Sequence, residues 1–151
     1  MSLAANASSD DGRGRPSMEC HDVHAIIIDA QATGGCTTGF CAAGNVSGNL
    51  GLDGTTFYTL DGFVPGPSTA PGFNTSSGIL VYTTREGTLT VRETGTGDMG
   101  AAAQSGIGAS FDQILSGTGR FAGATGTFYL AQSAGGGKFT AIVTGELCLP
   151  R

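Results

Sequence analysis

Two carboxylic acids in this sequence stand where strand alternation would aim them at a protein interior. Glu93 comes two residues after Val91 and four after Leu89, and Asp29 comes two residues after Ile27. A carboxylate among apolar side chains is costly unless it is paired or hydrated, and its raised pKa suits a general acid, a general base or a ligand anchor. Glu93 and Asp29 are therefore the candidate catalytic residues. Because ionisable side chains are seldom buried without partners, the alternative is that both lie in water at the ends of their strands.

Two tyrosines and two histidines add further candidates. Tyr58 and Tyr82 each offer a ring for an apolar ligand and a hydroxyl that could orient it, besides the ordinary role of a core or surface tyrosine. His21 and His24 are three residues apart in an extended segment, so they point to opposite faces and cannot share one metal ion. The sequence has neither a Gly-x-Ser-x-Gly elbow nor a phosphate-binding loop. We expect no metal and no cofactor.

The four cysteines, at positions 20, 36, 41 and 148, allow three pairings. An even number of cysteines in a chain poor in lysine favours an oxidising compartment, so we expect a secreted, extracellular protein. Cys36 and Cys41 enclose a short loop that a disulfide could close, which leaves Cys20 to pair with Cys148. The alternative is a zinc site, but zinc prefers two tightly spaced ligand pairs, and the spacing here is not a standard one.

Composition excludes several classes of protein. The chain has 151 residues, enough for one domain with its own core. A formal net charge of −5 with only 7 Lys and Arg argues against nucleic acid, whose affinity comes chiefly from cationic contacts. No run approaches the ~18 consecutive apolar residues that span a bilayer, so we expect no membrane partner.

The pattern from Cys20 onward has the period of β-strands. Glycine recurs too often for long helices, while Val, Ile, Thr, Phe and Tyr collect between the glycines. The candidate strands are residues 23–32, 43–50, 55–63, 78–84, 88–94, 105–115, 126–131 and 138–149. Short turns at residues 85–87 and 134–137 make neighbouring strands antiparallel. The proline-containing segment 64–77 is predicted to be a loop that could cover a barrel mouth.

These elements predict an all-β fold, a single antiparallel eight-stranded up-and-down barrel. Closure would remove the sheet edges that a sequence with so few charges leaves unprotected. Residues 1–18 are predicted to be a flexible N-terminal arm, since they contain little that could be buried, and residues 19–151 the barrel domain. No hydrophobic run follows Met1, so we expect this segment not to be an intact signal peptide.

A glycine-rich connection carries a family resemblance. Residues 117–126 read Gly-Thr-Gly-Arg-Phe-Ala-Gly-Ala-Thr-Gly, and with the strand at 139–147 they resemble the C-terminal half of the allene oxide cyclase and dirigent-type β-barrels, here in the manner of a bacterial member. The glycines permit a tight connection, and Phe121 offers a side chain that plugs the barrel end. The resemblance implies an eight-stranded barrel, trimeric in many plant members, whose apolar cavity holds a reactive substrate without a cofactor. The first strand, residues 21–29, lacks the cyclase branch's Glu and Asn pattern.

Three functional hypotheses follow. The first is a secreted barrel that binds a small apolar molecule or has an extracellular structural role. The second is a cofactor-independent isomerase or cyclase in which Glu93 or Asp29 assists proton movement. The third is a carbohydrate-contacting module that uses a threonine-rich exterior together with Tyr58 and Tyr82. Whether catalysis occurs at all stays open, and a homo-oligomer is allowed. An interior without a void would remove the catalytic site, and the residues expected to fill it are Leu89, Val91, Ile107, Phe111, Phe139 and Val143.

Overall fold

The computed structural model describes residues 17–98 and 105–151. These residues form a closed eight-stranded barrel in which each strand pairs with its neighbours in sequence and the last pairs with the first. The fold class is confirmed. The strands are β1 (Met18–Gln31), β2 (Cys41–Gly48), β3 (Gly54–Pro65), β4 (Phe73–Thr84), β5 (Gly87–Asp98), β6 (Ser105–Gly117), β7 (Thr125–Gly135) and β8 (Lys138–Pro150).

Antiparallel pairing runs all the way round the barrel. The closing pair, β1 with β8, is also the longest, from Met18 opposite Pro150 to Ala30 opposite Lys138. Its length matters because this seam holds the two ends of the domain together. The predicted tight turn between β4 and β5 is present, and Gly87 has a φ of +145°, a conformation that glycine adopts without strain.

The two ends of the barrel differ. At one end, called here the closed end, the connection between β6 and β7 contains a single 3₁₀ turn at Gly119–Phe121. Phe121 is completely buried there, as the sequence predicts, and Leu52 from the β2–β3 connection is equally buried. A large apolar cluster extends from this end into the barrel and includes Val23 and Phe128. The opposite end, called the open end, lies where β1, β3 and β7 finish.

Phe121 is expected to be the single most important side chain of the closed end. Replacing Phe121 with alanine should lower the free energy of unfolding by roughly 3–5 kcal/mol, because a fully buried ring would leave a cavity. Phe111→Ala is the matched control, since Phe111 lies exposed on the outer face, where it contacts only the edge of the Tyr129 ring among aromatic residues that the structure describes. Its loss should cost about 1 kcal/mol. If urea unfolding showed equal destabilisation of both variants, the conclusion that the Phe121 ring stabilises the closed end by filling it would be contradicted.

Some sequence-based expectations were wrong. Half of the segment 64–77 is strand: β3 continues to Pro65 and β4 begins at Phe73, with Val64 opposite Thr75, so only residues 66–72 form the connection. Phe111 is exposed outside the barrel, and Ile107 lies exposed at the rim. Met18, assigned to the arm, already belongs to β1, while the rest of the predicted arm up to residue 16 lies outside the described residues.

The cysteines pair as the sequence suggests. The sulfur atoms of Cys20 and Cys148 lie at bonding distance at the β1–β8 seam, and those of Cys36 and Cys41 do so at the open end. Both pairs are compatible with an oxidising environment. No helix among the described residues is long and apolar enough to span a membrane.

Candidate functional site

A cavity of about 480 Å³ occupies the open half of the barrel. Its existence follows from the inward-facing residues of β5 and β6. An eight-stranded barrel is narrow enough for side chains to fill, but here Gly95 and Gly97 on β5 and Gly106 and Gly108 on β6 line the cavity, with Gly97 directly opposite Gly108. Four inward positions without side chains leave a lumen. The void on which the catalytic hypothesis depends is therefore present.

The cavity walls are mainly apolar. Ile27, Leu80 and Leu130 contribute aliphatic side chains from three strands, and Ala42 adds a small one. Aromatic rings stand at the rim, where Phe40 and Phe139 meet edge to face with centroids 5.9 Å apart and Phe63 lies nearby. An occupant would therefore pass aromatic edges and then lie against aliphatic surface.

Three carboxyl groups lie in the barrel interior, between the apolar closed end and the glycine-lined lumen. Asp29 and Glu93 are 7% and 9% exposed and line the cavity, and Asp112 is completely buried. Glu93 on β5 stands directly opposite Asp112 on β6, so these two side chains are immediate neighbours on one face. Asp29 comes from β1 and acts on Glu93 electrostatically. Two like charges in such positions repel, so the cluster cannot be fully ionised without a cost.

Asp29 has one strong partner. The Thr56 hydroxyl donates a hydrogen bond of 2.6 Å to Asp29 Oδ1. Burial raises the pKa of Asp29, and the bond from Thr56 partly opposes that rise because it favours the charged form. Asp29 therefore has a defined donor for its charged form.

Glu93 is poised to change its charge near neutral pH. Burial raises its pKa to about 7, the adjacent Gln132 side chain opposes the rise, and the charge of Asp29 adds to it. The Gln132 amide also donates to the Ser110 hydroxyl at 2.9 Å, so its orientation is held by the barrel wall. A carboxyl with such a pKa beside an apolar cavity can hold or release a proton at physiological pH.

Asp112 is the least satisfied of the three. Neither of its oxygens has a hydrogen-bond partner of normal geometry, and the buried hydroxyl of Tyr82 also lacks one. The pKa of Asp112 is raised to about 9, chiefly by burial and in addition by the charge of Glu93, while nearby Tyr82 opposes the rise. Tyr82 is therefore close enough to influence Asp112 although no well-formed hydrogen bond joins them. Asp112 is expected to be protonated at neutral pH.

The structure brings the two candidate catalytic residues to one site. Glu93 and Asp29 lie in the interior, so the alternative that placed them in water at strand ends is wrong. Tyr58 lines the same cavity, and burial raises its pKa, with the charge of Glu93 adding to the rise. Tyr82 lies deeper, in the core beneath the cavity, where burial raises the pKa of its hydroxyl.

Sequence reasoning missed Asp112, Ser110 and Gln132. The signal was present in β6, where Ser110, Asp112 and Ile114 alternate, but the large side chains of Ile107 and Phe111 suggested the opposite phase. Because side chains alternate between the two faces of a strand, choosing the wrong phase assigns every residue of that strand to the wrong face.

No metal site is evident in the described part of the chain. The one group of three potential ligands that lies close together there is Cys20, Glu146 and Cys148, and the two cysteines are the disulfide pair. His21 and His24 are both exposed.

Comparison with known proteins adds no assignment. Neither a scan of protein-family models nor searches of curated proteins and solved structures found a significant match. The cavity and its carboxyl groups are therefore the features of this protein that bear on its function.

Proposed function

We propose that this protein binds a small, largely apolar molecule in the open half of the barrel. The observation that supports this most directly is the cavity, whose volume of about 480 Å³ falls in the ~300–1,000 Å³ range of ligand pockets. In a close-packed barrel of this size, side chains fill the interior and contact one another. An empty cavity of this volume lacks those dispersion contacts. A bound molecule would restore them.

The distribution of polar groups suggests how a ligand is oriented. Apolar groups form most of the wall, whereas Tyr58, Glu93 and Asp29 border the cavity with polar atoms. A few polar groups at defined positions in an apolar pocket fix the orientation of the occupant. The preferred ligand therefore has an apolar body and one polar group.

We place this binding in an extracellular compartment. Two cysteine pairs at bonding distance support that choice, because such pairs persist in oxidising surroundings. The prediction of a homo-oligomer stays untested. So does the resemblance to the allene oxide cyclase and dirigent-type barrels.

The binding proposal is tested by filling the cavity. The neutral fluorescent probe N-phenyl-1-naphthylamine should gain fluorescence with the native protein, and Ala42→Phe, whose ring would enter the lumen, should weaken binding at least tenfold. Ala131→Phe is the matched control, because Ala131 faces solvent on β7. Circular dichroism and thermal unfolding establish that both variants fold. Absence of probe binding to native protein, or equal loss in both variants, would contradict the proposal.

A cofactor-independent isomerase or cyclase is the second candidate function. It is favoured by Glu93, a carboxyl with a pKa of about 7 that borders an apolar cavity. The test incubates the protein with an unsaturated epoxide that fits the cavity and analyses the chirality of the products. Catalysis predicts an enantiomeric excess that Glu93→Gln abolishes, and racemic products with the native protein would contradict it. No observation favours the carbohydrate-contacting alternative, because Tyr82 is buried and Tyr58 faces the lumen.

A further inference from the structure

The charges around the cavity are all of one sign. Asp29 and Glu93 line it, Asp112 lies directly beside Glu93, and none of its lining residues is Lys, Arg or His. The arginines of the described chain that form ion pairs do so with surface acids: Arg92 with Asp61, Arg120 with Glu86 and Arg151 with Glu19. Among the lining residues that the structure describes, none supplies a positive charge that could balance these carboxyls in their ionised form.

The cluster is incomplete in a way that a ligand can complete. Glu93 is nine-tenths buried, it faces the lumen, and its opposite neighbour Asp112 carries two oxygens without hydrogen-bond partners. The chain must therefore either protonate these carboxyls or place a cation beside them. A cation entering from the lumen would meet Glu93 and Asp29 first.

We propose that the ligand is an amine, with an apolar body against the aliphatic wall and a protonated ammonium group seated between Asp29 and Glu93. The inference rests on the proposed binding function and names the chemical class of the ligand. An ammonium group has three N–H donors and no acceptor, which complements carboxylates that only accept hydrogen bonds. A carboxylate ligand would instead bring a further negative charge to a cavity whose charged lining residues are all acidic.

The proposal carries a pH dependence. The titratable groups that face Glu93 are Asp29 on β1, Tyr58 on β3, Tyr82 on β4 and Asp112 on β6, and none is cationic. An alkylammonium, with a pKa near that of lysine at ~10.4, keeps its charge throughout the range from pH 6 to 8, whereas Glu93 ionises within it. Binding of the ammonium to protonated Glu93 releases that proton to water. Amine affinity should therefore rise with pH.

The test compares three probes with the same chain: n-octylamine, 1-octanol and octanoate. Displacement of N-phenyl-1-naphthylamine at pH 8 should show octylamine binding at least tenfold more tightly than either competitor. Between pH 6 and 8 the octylamine affinity should rise at least fivefold while that of octanol stays constant. Glu93→Gln should remove both the preference for octylamine over octanol and the pH dependence of octylamine binding. Glu146, an exposed residue on β8, provides the matched control. Glu146→Gln should change neither the preference for octylamine nor its pH dependence.

The outcomes separate this inference from the proposal beneath it. If the naphthylamine probe binds but octylamine is no better than octanol, or octanoate is preferred, the amine inference is wrong and the cavity proposal stands. If neither the probe nor any octyl compound binds native protein, both are wrong. A preference for octylamine that survives in Glu93→Gln would place the ammonium elsewhere and would also overturn the inference.

Discussion

Raising the pH from 5 to 9 is expected to lower the free energy of unfolding of this barrel by several kcal/mol. Asp112 and Glu93 have folded-state pKa values of about 9 and about 7, against 3.8 and 4.5 in the absence of burial. Between these limits the folded state binds more protons than the unfolded state, so stability falls as pH rises. The stability that the two protonated carboxyls contribute is fully present below their unfolded-state pKa values, and it is lost as the pH rises through their folded-state pKa values. Each pKa unit corresponds to about 1.4 kcal/mol.

Asp112→Asn should remove most of this pH dependence, because the amide keeps the shape of the carboxyl without its ionisation. The measurement is urea unfolding at pH 5, 7 and 9 without reductant. Asp22→Asn, at an exposed position of β1, is the control and should keep the slope of the native protein. The surface pair of Arg92 with Asp61 acts in the opposite sense, since the arginine lowers the pKa of Asp61, but only below about pH 4. A free energy of unfolding that stays constant or increases between pH 5 and 9 would show that the buried carboxyls do not hold their protons.

Removing the Cys20–Cys148 bridge is expected to cost about 5 kcal/mol. The two cysteines are 128 residues apart, and closing so long a loop restricts the unfolded chain strongly in the chain-entropy model. The bridge also lies at the β1–β8 seam, which has no covalent connection of its own. Without the bridge, the unfolded chain regains its freedom while the folded barrel keeps the same contacts.

The second disulfide provides the matched control. Cys36 and Cys41 are 5 residues apart, so a double serine variant of this pair should lose only about 2 kcal/mol on the same argument. In urea unfolding, the double variant Cys20→Ser with Cys148→Ser should lose more than twice as much free energy of unfolding as the Cys36 and Cys41 variant. Equal losses would contradict the loop-length argument. Four free thiols in native protein, measured by mass spectrometry without reductant, would refute both bridges and the extracellular assignment.

The sequence alone was enough for the class of fold and for several local features. Alternation in β5 and β8 assigned Leu89, Val91 and Val143 to the interior, where the structure places them. Glycine at position 87 predicted a tight turn, and the cysteine positions suggested both pairings. These features depend on neighbouring residues or on the order of strands along the chain, both of which a sequence displays directly.

The candidate site depended on tertiary structure. Asp29 and Glu93 are far apart in sequence and share a lumen only because β1 and β5 belong to one closed barrel. The pairing of β5 with β6 contains an irregularity at Thr90 and Val91, and alternation in β6 alone did not decide which of its faces is buried. The cavity depends on inward-facing glycines that two neighbouring strands contribute to its wall. Burial and electrostatic coupling arise between strands, so a pattern read along one strand cannot determine them.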